Sequence, residues 1–368
     1  MDIKKEAIEL HEKLKGKIEI RPKAEISREV LRLLYTPGVA EIVRIIARNK
    51  PDVYRYTGKG NSIAIVSDGS RILGLGNLGP EAALPVMESK AMLYKAYGNV
   101  DAYPVCLKTQ KTEEIISIVE NISPNFGAIN IEDIEAPKCF EIVEKLSERL
   151  DIPVFHDDQH GTAIIVTAGL MNALKIVNKS METARIVILG SGAAGYGIAK
   201  LLVHAGARNL LVLDSNGIIH RKRDSLNKYK QELAEITNQR QESGTLEDAI
   251  QGSDVFIGVS GRKGIVSGNM VKDMNKDAIV FALSNPDPEI MPADAKAAEA
   301  RIVATGRGDF ENQINNSLVF PFFMRKVLDE RIMKIDKQLM YLTAEKISGM
   351  VAPAPDRILP SIEEVRPL

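Results

Sequence analysis

Cysteine is nearly missing from this chain of 368 residues: Cys106 and Cys139 are too few and too isolated for a disulfide framework or a zinc ribbon. An excess of one charge is missing too. The 48 basic residues almost balance the 49 acidic ones, so neither a nucleic acid nor a membrane surface is expected as the main partner, because both select a basic excess or patch. No apolar run approaches the ~18 residues of a membrane span. The start, Met1-Asp2-Ile3-Lys4-Lys5-Glu6, reads as a charged helix rather than an apolar leader, and a cytoplasmic location is the simplest expectation. There is no internal repeat and no low-complexity tract. What is present is 45% hydrophobic residues, enough for a core spread over two or three domains.

From about residue 60, short β-branched apolar runs alternate with helix-length segments, the pattern of parallel sheets with crossover helices. Ser62–Val66 leads into a Ser67-Asp68-Gly69 turn and a return run through Ile72, which reads as a hairpin. Runs at Val100–Cys106, Phe126–Ile131 and Pro153–Phe155 complete a first sheet, with helices expected at Pro80–Tyr97, Thr112–Asn121 and Pro137–Leu150. A helix over Gly161–Val177 leads to a second series of strands: Arg185–Leu189, Leu210–Leu213, Val255–Val259, Ala278–Leu283 and Arg301–Ala304. The expected fold is α/β with two domains hinged near residue 160. Residues 1–160 would form an N-terminal α/β catalytic domain, and residues 161–368 a dinucleotide-binding domain with C-terminal helices that could pack on either.

Two stretches match G-x-G-x-x-G, and their context separates them. Gly190-Ser191-Gly192-Ala193-Ala194-Gly195 follows the strand Arg185–Leu189 and opens a helix over Tyr196–His204. The next strand, Leu210–Leu213, ends on Asp214, about 20 residues past the glycines. This is a complete βαβ unit. Gly190, Gly192 and Gly195, with Ala193 and Ala194, would let the backbone approach a pyrophosphate, while Asp214 would take ribose hydroxyls. Gly74-Leu75-Gly76-Asn77-Leu78-Gly79 has no such acid at the end of its next strand, and reads as a structural or substrate-side loop.

Acidic pairs close two apolar strands of the first domain: Glu132-Asp133 after Ile131, and Asp157-Asp158 after His156. Open parallel sheets place their ligands there. Three or four converging carboxylates would need a hard cation, and all-oxygen ligation suits Mg²⁺ or Mn²⁺. The alternative is that each pair caps a following helix. His156 and His160 stand four apart as in a zinc protease, but Asp157 replaces the catalytic glutamate and the segment starts at a strand end. On the Pro80–Tyr97 helix the 3.6 period puts Lys90 among Ala83, Val86, Met87, Tyr94 and Tyr97. Desolvation there would lower its pKa and allow it to act as a base; a snorkelling lysine is the alternative.

Taken together, Tyr35-Thr36-Pro37-Gly38-Val39-Ala40, Asp68–Gly76, Glu132-Asp133, Asp157-Asp158 followed by Gly161-Thr162-Ala163, and Ser284-Asn285-Pro286 resemble malic enzyme. The motifs stand in that family's order over residues 35 to about 321, and the resemblance is to the short prokaryotic form without a phosphotransacetylase-like domain. It implies metal-dependent oxidative decarboxylation of (S)-malate to pyruvate and CO₂ with reduction of NAD(P), and oxaloacetate decarboxylation besides. Lys90 would be the base, Tyr35 the acid that protonates the enol, and Asp157 the support of Lys90. Glu132, Asp133 and Asp158 would bind Mg²⁺ or Mn²⁺. Arg71, Asn285 and either Asn315 or Asn316 would hold substrate carboxylates, with Asn285 also near the dinucleotide. Asp214 favours NAD, whereas Arg221-Lys222-Arg223 could accept the 2′-phosphate of NADP. The family implies a homodimer or larger homo-oligomer. Two rival readings use the same loop: a metal-independent hydroxy-acid or amino-acid dehydrogenase, and a non-catalytic dinucleotide-binding redox sensor.

Overall fold

A computed structural model describes residues 3–365 and Leu368. The first sheet holds β1 (Ser62–Ser67), β2 (Asp101–Cys106), β3 (Ala128–Ile131) and β4 (Val154–His156), all parallel, in the order β2-β1-β3-β4. The second holds β5 (Arg185–Leu189), β6 (Asn209–Asp214), β7 (Gly217–Ile218), β8 (Val255–Gly258), β9 (Ile279–Ala282) and β10 (Ile302–Thr305). Its order is β10-β9-β8-β5-β6-β7, and only the β7 edge is antiparallel. The alternation of apolar runs and helices therefore produced two α/β sheets, as the sequence implied.

Both faces of the second sheet are buried, and its side chains divide with period 2. Ile186, Ile188, Leu210 and Val212 join one core; Val187, Leu189, Leu211 and Leu213 join the other. The first core is continuous with that of the first sheet, through the helix Thr162–Ile176. The C-terminal segment packs on both domains. Phe320, at the start of the helix Phe320–Asp329, sets its ring 4.8 Å from that of Tyr94 in the first domain. Asn172 donates to the carbonyls of Ser348 and Ile358 at 2.8 and 2.9 Å.

In each sheet the chain reverses its winding direction beside the first strand, between β1 and β3 and between β5 and β8. A crevice opens at the carboxyl ends of the strands at such a point. The hairpin expected after β1 does not form. β1 is flanked on both sides by parallel β2 and β3, so it has no free edge for a returning strand. Instead Asp68 accepts from the Ser70 N–H and hydroxyl at 2.9 and 2.6 Å, and the segment makes a single bridge between Ile72 and Gly76.

The N-terminal arm differs from the rest. Its helices Ile3–Leu14, Arg28–Leu34 and Val39–Arg48 contain no buried residue. Ile8, Leu14, Ile20, Leu34 and Val43 are all exposed. The charged helix read at the start begins at Ile3; Met1 and Asp2 lie outside the described residues. No helix among the described residues is long and apolar enough to cross a membrane.

Candidate active site

The helix Pro80–Gly98 presents Lys90 to the carboxyl end of the first sheet, and the side chain is 7% exposed. Its Nζ contacts the Asp157 carboxylate, lies 2.9 Å from Glu132 Oε1, and sits 4.1 Å above the Phe320 ring. Burial works to lower the Lys90 pKa, but the charges of Asp157 and then Glu132 outweigh it and hold the value above the ordinary lysine range. The desolvation argument from sequence therefore gave the wrong direction, because two carboxylates share the apolar face with the ammonium.

Glu132 leaves β3 with both oxygens engaged. Oε1 faces Lys90, and Oε2 accepts from Asn130 Nδ2 at 2.9 Å, while Asn130 Oδ1 accepts from the Tyr94 hydroxyl at 2.7 Å. Asn130 was missed from sequence. Its signal was a lone amide inside the apolar run Phe126–Ile131, where a polar side chain must find partners. Asp157 and Asp158 open a single turn of π-helix, Asp157–Gly161, directly after β4. Gly161 is required there: a Cβ would stand 1.9 Å from Asp157 Oδ1. Neither acidic pair caps a helix through its side chains, since the next α-helices start at Lys138 behind Pro137 and at Thr162 behind Gly161.

Carboxylate oxygens of Glu132, Asp133 and Asp158 lie within 4.8 Å of one another. Asp133 Oδ2 is buried without a hydrogen-bond partner. Burial first, then the Asp158 charge, pushes the Asp133 pKa up to about 7. An orphaned oxygen in an all-oxygen cluster whose charges repel fits a hard divalent cation. His160 is no zinc ligand in this arrangement: its Nδ1 accepts the His156 backbone N–H at 3.2 Å, and burial drives its pKa down to about 3.

The dinucleotide loop meets this cluster. Gly190 has φ +120° and packs against the carbonyl of Val259, and a Cβ on Gly195 would stand 1.8 Å from the Gly190 carbonyl, so the turn into the helix Ala193–His204 needs both glycines. A single cavity of about 890 Å³ is lined by Lys90, Glu132, Asp133 and Asp158 on one side and by Gly192, Ala193 and Ala194 on the other. Arg71, Asn285, Asn315 and Asn316 line it as well, as does Gly74 of the second glycine stretch. That stretch borders the same cavity; a Cβ on Gly74 would stand 2.2 Å from the Asn285 carbonyl.

Three comparisons bear on what this cavity serves. The family model for the malic enzyme N-terminal domain matches residues 15–147, and that for the malic enzyme NAD-binding domain matches residues 159–368. The chain belongs to the malic enzyme family. The NAD-dependent malic enzyme of Geobacillus stearothermophilus is 51% identical, covering 91% of this chain and 70% of its own length. The NADP-dependent malic enzyme of Halomonas elongata is 45% identical, covering 97% of this chain and 85% of its own length. The crystal structure of the NAD-dependent malic enzyme of Thermotoga maritima superposes with a TM-score of 0.94 at 48% identity, covering 97% of this chain and 96% of that one.

Five expected site residues do not line the cavity: Asp157 lies behind Lys90, Gly190 and Gly195 pack against each other at the base of the turn, and Tyr35 and Asp214 stand apart from it in this family member. Tyr35, the cap residue after Arg28–Leu34, is 69% exposed and does not line it. Asp214, at the end of β6, already accepts four hydrogen bonds from the chain itself. Its Oδ1 accepts from the Asn216 N–H at 2.8 Å and Arg223 Nη1 at 3.0 Å; its Oδ2 accepts from Arg223 Nη2 at 3.0 Å and Lys230 Nζ at 2.6 Å. The expected pair Asn315-Asn316 divides by the same accounting. Asn315 donates to the Gly306 carbonyl and accepts from the Ser317 N–H, whereas the Asn316 amide has no hydrogen-bond partner among the described residues.

Proposed function

We propose that this malic enzyme oxidises (S)-malate and releases pyruvate and CO₂, with Lys90 as the base. The carrying observation is the shared cavity: a buried lysine, three clustered carboxylates and the dinucleotide loop face one space. Arg71 and Asn285 bind the substrate carboxylates, with Asn316 as the third ligand because its amide is free. Lys90 takes the hydroxyl proton of malate, and Asp157 keeps its Nζ aimed by contact. Glu132, Asp133 and Asp158 would hold Mg²⁺ or Mn²⁺, which would supply a Lewis acid for the negative charge left as CO₂ departs. A metal-independent dehydrogenase or a redox sensor would have no use for the orphaned Asp133 oxygen. The near-zero net charge and two free cysteines suit a reducing cytoplasm. Initial rates with malate, Mn²⁺ and either NAD or NADP test the proposal; no reduction of either nucleotide would refute it.

Tyr35 is the enol's proton donor in this reading, and it serves the site of a second copy of the chain. Among the described residues of the arm that carries it, no helix has a fully buried side chain, and Ile8, Leu14, Leu34 and Val43 stay exposed. The expected result is complementation. Coexpressed Tyr35→Phe and Lys90→Ala chains should regain about a quarter of wild-type activity, because half the dimers are mixed and each has one intact site. If Tyr35 served its own chain, the mixture would stay as inactive as either variant.

NAD is the proposed acceptor, with Arg223 and Lys230 neutralising Asp214. Removing that carboxylate frees two cations for a 2′-phosphate. Asp214→Ser should therefore raise the NADP-to-NAD ratio of kcat/KM by about 10-fold or more, the value of one charge-assisted hydrogen bond. An unchanged ratio would place the specificity elsewhere.

A further inference from the structure

Glu289 is fully buried, and no basic side chain pairs with it among the described residues. Its hydrogen-bond partners are hydroxyls and backbone N–H groups. Oε1 accepts from the Ser260 N–H and hydroxyl, both at 2.9 Å, and from the Ser284 hydroxyl at 2.5 Å. Oε2 accepts from the Ser284 N–H at 3.3 Å, and the Ser284 hydroxyl oxygen accepts from the Gly261 N–H at 2.8 Å. The strand makes room for this carboxylate. A Cβ on Gly258, the last residue of β8, would stand 2.5 Å from Glu289 Cδ. A fully buried carboxyl group must find its hydrogen-bond partners inside the protein, and here they come from two separate loops.

The groups it ties together suggest a role. Ser260 and Gly261 belong to the loop after β8, and Ser284 to the loop after β9; Val259, Gly261, Leu283 and Asn285 of these loops line the catalytic cavity. Glu289 does not line it. Asn285 follows Ser284 directly, and Gly261 lies against Arg71, whose Nη2 would be 3.1 Å from a Cβ on that glycine. One carboxylate therefore fixes the loop that carries Asn285 to the loop that abuts Arg71.

We propose that Glu289 is a positioning residue that sets the separation of Arg71 and Asn285, and hence the seat of the substrate carboxylates. The proposal rests on the malate reading of the cavity and names the device that holds the cavity's two walls in register. An amide at this position keeps one acceptor but turns an NH₂ group toward a donor, so Glu289→Gln breaks the clamp without changing its volume. Ser284 lines the cavity itself, so the second variant is Ser260→Ala, which breaks the clamp from the other loop and removes only a hydroxyl outside the cavity.

The test measures both variants against wild type with malate, NAD and Mn²⁺, and follows amide hydrogen exchange at Ser260, Gly261 and Ser284 without substrate. The clamp predicts that KM for malate rises about 10-fold or more, since displacing a binding group by an ångström is costly, while kcat falls less. The three amides should exchange faster. Folded variants that keep the wild-type KM for malate overturn the proposal, and if Glu289→Gln does not fold, Ser260→Ala decides. A wild-type enzyme inactive with malate would sink the functional reading instead, and the exchange rates would then decide the clamp: faster exchange supports it and unchanged exchange overturns it.

Discussion

Replacing Lys90 by alanine should lower kcat for malate by about 10³-fold, within the range that general acid–base groups contribute. The same change should destabilise the metal-free protein, because Asp157 and Glu132 lose the ammonium between them. Breaking a buried pair in this way costs about 3–5 kcal/mol. Lys90→Arg separates the two effects. A guanidinium keeps the positive charge against both carboxylates but cannot give up its proton to act as a base. Its Tm should therefore stay closer to wild type than that of Lys90→Ala, with activity equally lost. Steady-state kinetics and thermal melts on the two variants check this. Activity retained by the arginine variant would remove Lys90 from the role of base.

The second large effect is expected at Asp133. Asp133→Asn keeps the volume and removes one charge from the Glu132–Asp133–Asp158 cluster, so Mn²⁺ should bind about 10²-fold more weakly or worse. Titration with Mn²⁺ reads this directly, and an unchanged affinity would mean the ion sits elsewhere. The pH dependence supplies a second check with a definite sign. The Asp133 pKa is raised to about 7 in the fold, above its unfolded value, so between roughly pH 4 and 7 the folded state binds the extra proton. Stability is lost as pH rises through that window, and the whole penalty is present at pH 8. In EDTA, Asp133→Asn should therefore melt a few degrees above wild type at pH 8, and the gap should shrink at pH 5. A gap that widened toward acid would contradict the assignment of the raised pKa to this carboxylate.

What was legible in the sequence was whatever local pattern controls. β-branched runs gave the strands, and Gly190–Gly195 between strand and helix gave the dinucleotide turn. The acids at strand ends stood where parallel sheets gather ligands. Features that depend on neighbours distant in sequence were not legible. The segment after Val66 looked like a hairpin because nothing local says that β2 and β3, arriving later, take both edges of β1. Lys90 was correctly placed on a buried face, yet the direction of its pKa depended on Asp157, which is 67 residues away. Asp214 ended its strand as the fingerprint requires, but nothing local says that Arg223 and Lys230 would pair with it. Glu289 carried no motif at all; its meaning comes from two loops that converge on it.

The central claim is that the first domain's lysine and carboxylates turn a dinucleotide-binding fold into a decarboxylating one. It is tested most directly by measuring products from malate and NAD in the presence of Mn²⁺, before and after EDTA. The account predicts NADH and pyruvate in equal amounts, and loss of both when the ion is removed. NADH formed with accumulating oxaloacetate, or full turnover in EDTA, would contradict it.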